Sequence, residues 1–260
     1  MSLPETVDAF VPSNFQDLLT QGHFRPAHIE LSELQKLDSS LDIFKSTLEL
    51  SKKLYSQTLL NHCFRCFYFA LAILRNGFPS NTPSVRQIPG DVVVKKLYLT
   101  CLLHDFGLSN HTEAQSHPAH DMTFEFHGGI MAYEHLRDEY ASSLSLNDSQ
   151  IADITQGIML HTAPFEHGKS SAVGILIQLS AFLDAFGYGA FGRDSMECLI
   201  HRDTVQEIEQ AFPRVDMGQI KEGFENMFEV KPDCLVSHFP AYFQNKDHPL
   251  LGDRSVVDSH

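Results

Sequence analysis

The segment Leu97-Tyr98-Leu99-Thr100-Cys101-Leu102-Leu103-His104-Asp105-Phe106-Gly107 sets an imidazole beside a carboxylate at the end of an otherwise apolar run. Burying both groups uncompensated costs several kcal/mol. A bound cation offsets both costs, because neutral imidazole and carboxylate are ligands for Zn²⁺, Mn²⁺ or Fe²⁺. For this segment alone, a hydrogen-bonded His-Asp pair is the bland alternative. The same anomaly recurs along the chain, however. His62 follows Leu59-Leu60-Asn61, His161 follows Ile158-Met159-Leu160, and Asp184 ends the run Leu179-Ser180-Ala181-Phe182-Leu183. Several apolar helices that each send a polar group inward point to a shared metal, with His62, His104, Asp105 and Asp184 as ligands. Asp184 has no Lys or Arg close in sequence. An unpaired buried carboxylate neutralises or destabilises the fold, whereas a metal keeps it ionised.

The elements that must position these residues read as helices. Ser39 and Ser40 can cap a helix carrying Leu41, Phe44, Leu48 and Leu54 at helical spacing. A second spans about 56 to 76, with His62 on it and Cys66 one turn later, and ends at Gly77. A third starts at Asp91 as N-cap, is apolar nearly all round and closes at Gly107. Further helices are expected over about 127 to 140, 148 to 161, 172 to 186, 203 to 212 and 216 to 229. The polar stretch 109–123, with His111, His117 and His120, reads as a solvated loop long enough to act as a lid. His167 could line the same mouth. Strand patterns are weak. The expected fold is all-α: an extended N-terminal arm (1–38), a helical core (39–230) and a C-terminal tail (231–260).

The 260 residues carry a formal charge of -14, which leaves no broad electrostatic footprint for nucleic acid or an anionic membrane. A small neutral substrate suits such a chain better. The N-terminal stretch lacks the basic and apolar pattern of a secretory signal, so a cytoplasmic protein is expected. A homo-oligomer is compatible with this reading. Five cysteines suit reduced thiols, and Cys63-x-x-Cys66 reads as two residues of one helix rather than a zinc ribbon.

The ordered set His62, His104-Asp105, Asp184 resembles that of the HD-domain metal-dependent hydrolase superfamily, which would make the core an HD-domain helical bundle. His127 and His161 would complete the longer set that this superfamily uses for two metals. A closer resemblance covers roughly residues 50 to 215. Asn61-His62-Cys63-Phe64-Arg65-Cys66-Phe67, Leu99-Thr100-Cys101-Leu102-Leu103-His104-Asp105, Met122-Thr123-Phe124-Glu125-Phe126-His127-Gly128-Gly129-Ile130, Leu176-Ile177-Gln178-Leu179 with Leu183-Asp184, and Ala211-Phe212-Pro213-Arg214 are similar to the fungal cyanamide hydratase branch. That resemblance implies one zinc ion and hydration of a nitrile-type substrate to urea or an amide. Three positions depart from it. The branch carries tyrosine at His127, a polar residue such as Asp near Ala163 and asparagine at Ala185.

Under this reading Asp105 accepts a proton from the attacking water. His161 donates one to the substrate nitrogen or holds it, and Thr162 assists by hydrogen bonding. Arg65 reads as a partner for a buried carboxylate. Two other functions compete: a binuclear phosphohydrolase or di-iron oxygenase, with His127 and His161 at a second Fe or Mn, and a non-catalytic metal-binding domain. A phosphohydrolase usually places positive charge around its phosphate. The sequence has no Walker loop and no G-x-G-x-x-G, and only Arg65 and Lys169 lie near the ligands.

Overall fold

A stretch that is apolar nearly all round becomes a central helix. In the computed structural model, which describes residues 3–37, 40–141, 145–164, 166–215 and 227–238, α5 (Gly90–Leu103) is buried along nearly its whole surface. Three helices enclose it, namely α4 (Gln57–Arg75), α8 (Asp148–Leu160) and α9 (Ala172–Phe186), and α3 (Lys45–Leu54) adds a further side. Such surroundings explain the absence of a polar face on α5. Its buried Lys96 pairs with Asp153 of α8. Each Leu or Phe buried in these contacts contributes roughly 1.5–3 kcal/mol. α7 (Phe124–Tyr140) packs on α8 and on the 3-10 turn Phe106–Leu108 that follows α5.

Local signals set the helix bounds. Ser56 caps α4 by accepting from Leu59 N, and Ser171 caps α9 by accepting from Gly174 N. Asn147 and Gln150 form a reciprocal capping box on α8. Gly77 follows α4 at φ +106°, where an L side chain would also strike the His23 carbonyl. Gly107 is required by close approach, since a Cβ there would lie 2.0 Å from the Phe124 carbonyl oxygen. That contact seats the turn after His104-Asp105 directly against the start of α7.

Several bounds differ from expectation. Ser39 lies outside the described residues, and the first core helix starts later, as a 3-10 turn (Asp42–Phe44) leading into α3. Pro89, not Asp91, is the N-cap of α5. The reason is tertiary: Gly90 N donates to Glu5 O, so strand pairing sets where the helix begins. Asp91 sits in the first turn, where its charge suits the helix dipole. The N-terminal segment carries two of the four short strands found among the described residues. β1 (Thr6–Asp8) pairs antiparallel with β3 (Gln87–Pro89), and β2 (Phe10–Pro12) with β4 (Lys169–Ser171). Val7 and Val11 are buried, which ties these strands to the core. Two short helices follow, α1 (Phe15–Gln21) and α2 (Leu31–Gln35).

Stretch 109–123 is not a plain loop, for it contains α6 (Thr112–Gln115), capped by the His111 ring. His117 and His120 are half-buried against His127 rather than solvated. α10 (Arg202–Ala211) matches its expected position, while the expected helix over 216 to 229 falls mostly on residues 216–226, outside the described ones. Beyond it, Cys234 and Val236 pack with Met227 on Phe124. The span Ala172–Gly189 is long and apolar enough to cross a membrane by composition alone, yet 83% of it is buried inside the protein.

Candidate metal centre

Two helices end in the same way. His104 is the C-cap of α5 and His161 the C-cap of α8. Each ring turns its Nδ1 back onto a carbonyl three residues earlier, His104 to Cys101 O at 2.9 Å and His161 to Ile158 O at 2.6 Å. These carbonyls belong to the last turn of their helices, and Ile158 O also accepts the His161 backbone N–H at 3.4 Å. Because a carbonyl only accepts, Nδ1 holds the proton in both rings and Nε2 presents a bare lone pair. On α4, His62 does the same through a carboxylate, with Nδ1 2.6 Å from Asp184 Oδ2.

The free nitrogens converge. His62 Nε2 and His104 Nε2 lie 3.1 Å apart. Asp105 Oδ2 is 3.3 Å from the first and 3.4 Å from the second, and His161 Nε2 is 3.9 Å from Asp105 Oδ1. Two imidazole lone pairs at 3.1 Å repel unless a proton or a cation stands between them. With a carboxylate on the same point, the donor set suits a divalent metal. Burial pushes His104 down to about 3, and the neighbouring His161 and His62 push the same way against Asp105. Burial also disfavours protonated His62, but Cys66, Asp105 and Asp184 together carry it above its usual value, so that without a cation a proton on Nε2 takes its place between the two rings. Asp105 is held ionised against its burial by His104, His62 and His161.

Asp184 departs from one expectation. It does not lack cationic partners, because the fold brings two from elsewhere in the chain. Arg65 forks onto it with Nε to Oδ1 at 2.7 Å and Nη2 to Oδ2 at 2.9 Å, which is the role expected of Arg65. Arg214 adds Nη2 to Oδ1 at 2.6 Å. Burial alone would raise the Asp184 pKa, but Arg214, Arg65 and His62 hold it well below the carboxylate range. Asp184 also orients the His62 ring through Nδ1, in the way a carboxylate commonly supports a metal-bound histidine.

His62, His104, Asp105, His161, Thr162 and Asp184 all line one cavity of about 310 Å³. Its walls are otherwise mainly apolar, with Leu59, Phe124, Phe182 and Val236 among them. Ala185 also lines it, whereas the Ala163 carbonyl is taken by Gln178. His127 is brought to neither this cavity nor the converging set. It is buried on α7 beside His117 and His120. His167 is exposed and away from the lining, and Lys169 begins β4. Cys63 and Cys66 are buried thiols on α4, as expected, and burial pushes Cys66 up to about 12.

Three residues near the centre were not singled out from the sequence as parts of the site. Arg214 sits in the Ala211-Phe212-Pro213-Arg214 segment, but nothing local links it to Asp184. Cys66 lies within 3.7 Å of both His62 ring nitrogens. Glu125 is fully buried, and its Oε1 accepts from Thr162 Oγ1 at 2.6 Å and from Val236 N at 3.0 Å. Its one sequence signal is a carboxylate between two phenylalanines.

No family model matches the chain. Two proteins of Saccharomyces cerevisiae, cyanamide hydratase DDI2 and cyanamide hydratase DDI3, are each 30% identical to it over 167 residues, or 64% of this chain. The match likewise spans 64% of the length of each relative. Over that stretch the chain is similar to the cyanamide hydratases.

Proposed function

We propose that the protein is a metal-dependent hydratase that adds water to a small neutral nitrile, cyanamide to urea, on an HD-type helical bundle. The observation that carries this reading is the convergence of the His62 and His104 Nε2 lone pairs with Asp105 at the wall of a small, largely apolar cavity. His62, His104 and Asp105 would hold the cation, with His161 and Asp184 flanking them. Zinc follows from the sequence resemblance, and iron or manganese suits the same donors. When bound, such a cation supplies Lewis acidity, which lets water lose a proton near neutral pH.

The chain's own groups do the rest. Water adds its oxygen to the nitrile carbon, one π bond of the C≡N group becomes the nitrogen lone pair, and that nitrogen must gain a proton. Asp105 Oδ1 and His161 Nε2, 3.9 Å apart, face the cavity as acceptors for the proton that water gives up. His161 Nε2 is the ring atom through which a proton would reach the substrate nitrogen. The Nδ1 proton is committed to Ile158 O, so Nε2 must take a proton before it can pass one to the substrate nitrogen. Apolar walls keep bulk water from competing for the site. A neutral substrate also fits the charge balance. Arg214 at the cavity and Arg65 behind it are spent on Asp184, and Lys53 at the mouth pairs with Glu113.

Elemental analysis of the purified protein, run beside urea release from cyanamide and phosphate release from nucleoside monophosphates, tests this reading. One metal per chain with urea formation is expected. Phosphate release without urea would overturn it in favour of a phosphohydrolase.

A further inference from the structure

Glu125 holds the hydroxyl of a cavity residue in one polarity. Its Oε1 accepts the backbone N–H of Val236 at 3.0 Å, a bond in which only the carboxylate can accept. The same oxygen lies 2.6 Å from Thr162 Oγ1. An oxygen already engaged by an obligate donor receives the Thr162 hydroxyl proton as a second one. The Thr162 hydroxyl, its hydrogen committed to Glu125, then offers only lone pairs to any other partner. Glu125 is fully buried and Thr162 is 5% exposed, so water is poorly placed to relax this arrangement. Thr162 lines the cavity directly after His161, and Val236 closes the same cavity from the C-terminal segment.

We propose that Glu125 is a positioning residue that fixes Thr162 as a hydrogen-bond acceptor and thereby selects substrates carrying an N–H donor beside the reacting carbon. This deepens the hydratase reading and rests on it: among small nitriles, the site would favour an amino nitrile over an alkyl nitrile of the same size. The physical reason is asymmetric. An N–H from the substrate satisfies the Thr162 lone pair, whereas a methyl group in that place leaves a desolvated acceptor unpaired. A site built to hydrogen-bond one group can reject the isostere lacking it far more strongly than an apolar pocket can.

The test compares cyanamide, as substrate, with acetonitrile, which replaces the amino group by methyl, as competitor. The metal-loaded full chain is used throughout, with metal content confirming that each variant retains its centre. Thr162→Val should raise the KM for cyanamide by about tenfold or more while leaving the acetonitrile inhibition constant within about threefold. Glu125→Leu should shift the ratio the same way. Thr162→Ser and Glu125→Gln keep the hydroxyl and the accepting oxygen, and should restore the preference. Equal weakening of cyanamide and acetonitrile in Thr162→Val would overturn this inference and leave the hydratase reading standing. Wild-type protein that neither binds nor hydrates cyanamide would overturn both.

Discussion

Among the described residues two groups of three imidazoles pack ring against ring, and one of the two converges on a carboxylate. At the cavity, His62, His104 and His161 each commit Nδ1 to an acceptor behind the ring, so their Nε2 atoms face inward beside Asp105. Around α7, His117, His120 and His127 are just as close by ring distance, with centroids 5.5 Å and 5.4 Å from His127. There the His117 nitrogens are engaged elsewhere, and neither His127 nitrogen has a hydrogen-bond partner among the described residues. His117 accepts from Ala119 N and meets Glu134 through Nε2. It stacks on His127 at an interplanar angle of 28° instead of pointing with it. Burial, followed by Lys231, His117 and His120, pushes His127 down to about 4, so that ring stays neutral. The lesson is that imidazole density does not make a metal site. The acceptor on the far nitrogen does, because it decides which lone pair is free and where it points.

The contrast can be broken most directly at Asp105. Asp105→Ala should drop urea formation below detection and leave metal content well under one per chain, while a variant that keeps both would erase the distinction between the two groups. Next in size is Arg65→Leu. Arg65 and Asp184 are both essentially fully buried, and removing one partner of such a pair costs about 3–5 kcal/mol. Denaturant unfolding should show that loss, and an unchanged midpoint would mean that Arg214 alone suffices for Asp184. Asp184→Asn keeps an oxygen for His62 Nδ1 but removes the charge, and metal affinity should fall by about 10- to 100-fold. Chelator competition measures this, and an unchanged affinity would remove Asp184 from the support of the centre. The smallest effect is expected at His127→Phe, a change of similar volume that should cost less than about 1.5 kcal/mol and leave the metal count alone. Two metals per wild-type chain falling to one in this variant would turn the second group into a binding site after all.

Much of the architecture was legible along the chain. Ser56, Gly77 and Ser171 bound α4 and α9 where local capping rules place them, because caps act within one turn. The start of α5 was not, since Gly90 answers to Glu5, a strand neighbour far away in sequence. The candidate site divides along the same line. His62, His104, Asp105, His161 and Asp184 stood out as polar groups in apolar helices, a signal that survives in one dimension because burial follows periodicity. Thr162 was visible only as the neighbour of His161. Glu125 and Arg214 showed no comparable pattern, for their importance lies in what they touch.

The sequence by itself determined the helical class, the placement of the main helices and the identity of the polar groups that face inward. It did so because side-chain type and spacing set which surface is buried. Only the tertiary structure decided that Asp184 is met by two arginines, that His127 stands outside the converging set and that Glu125 grips Thr162. Those are questions of direction and partnership between distant segments, and hydrogen-bond polarity exists only once donor and acceptor are in place.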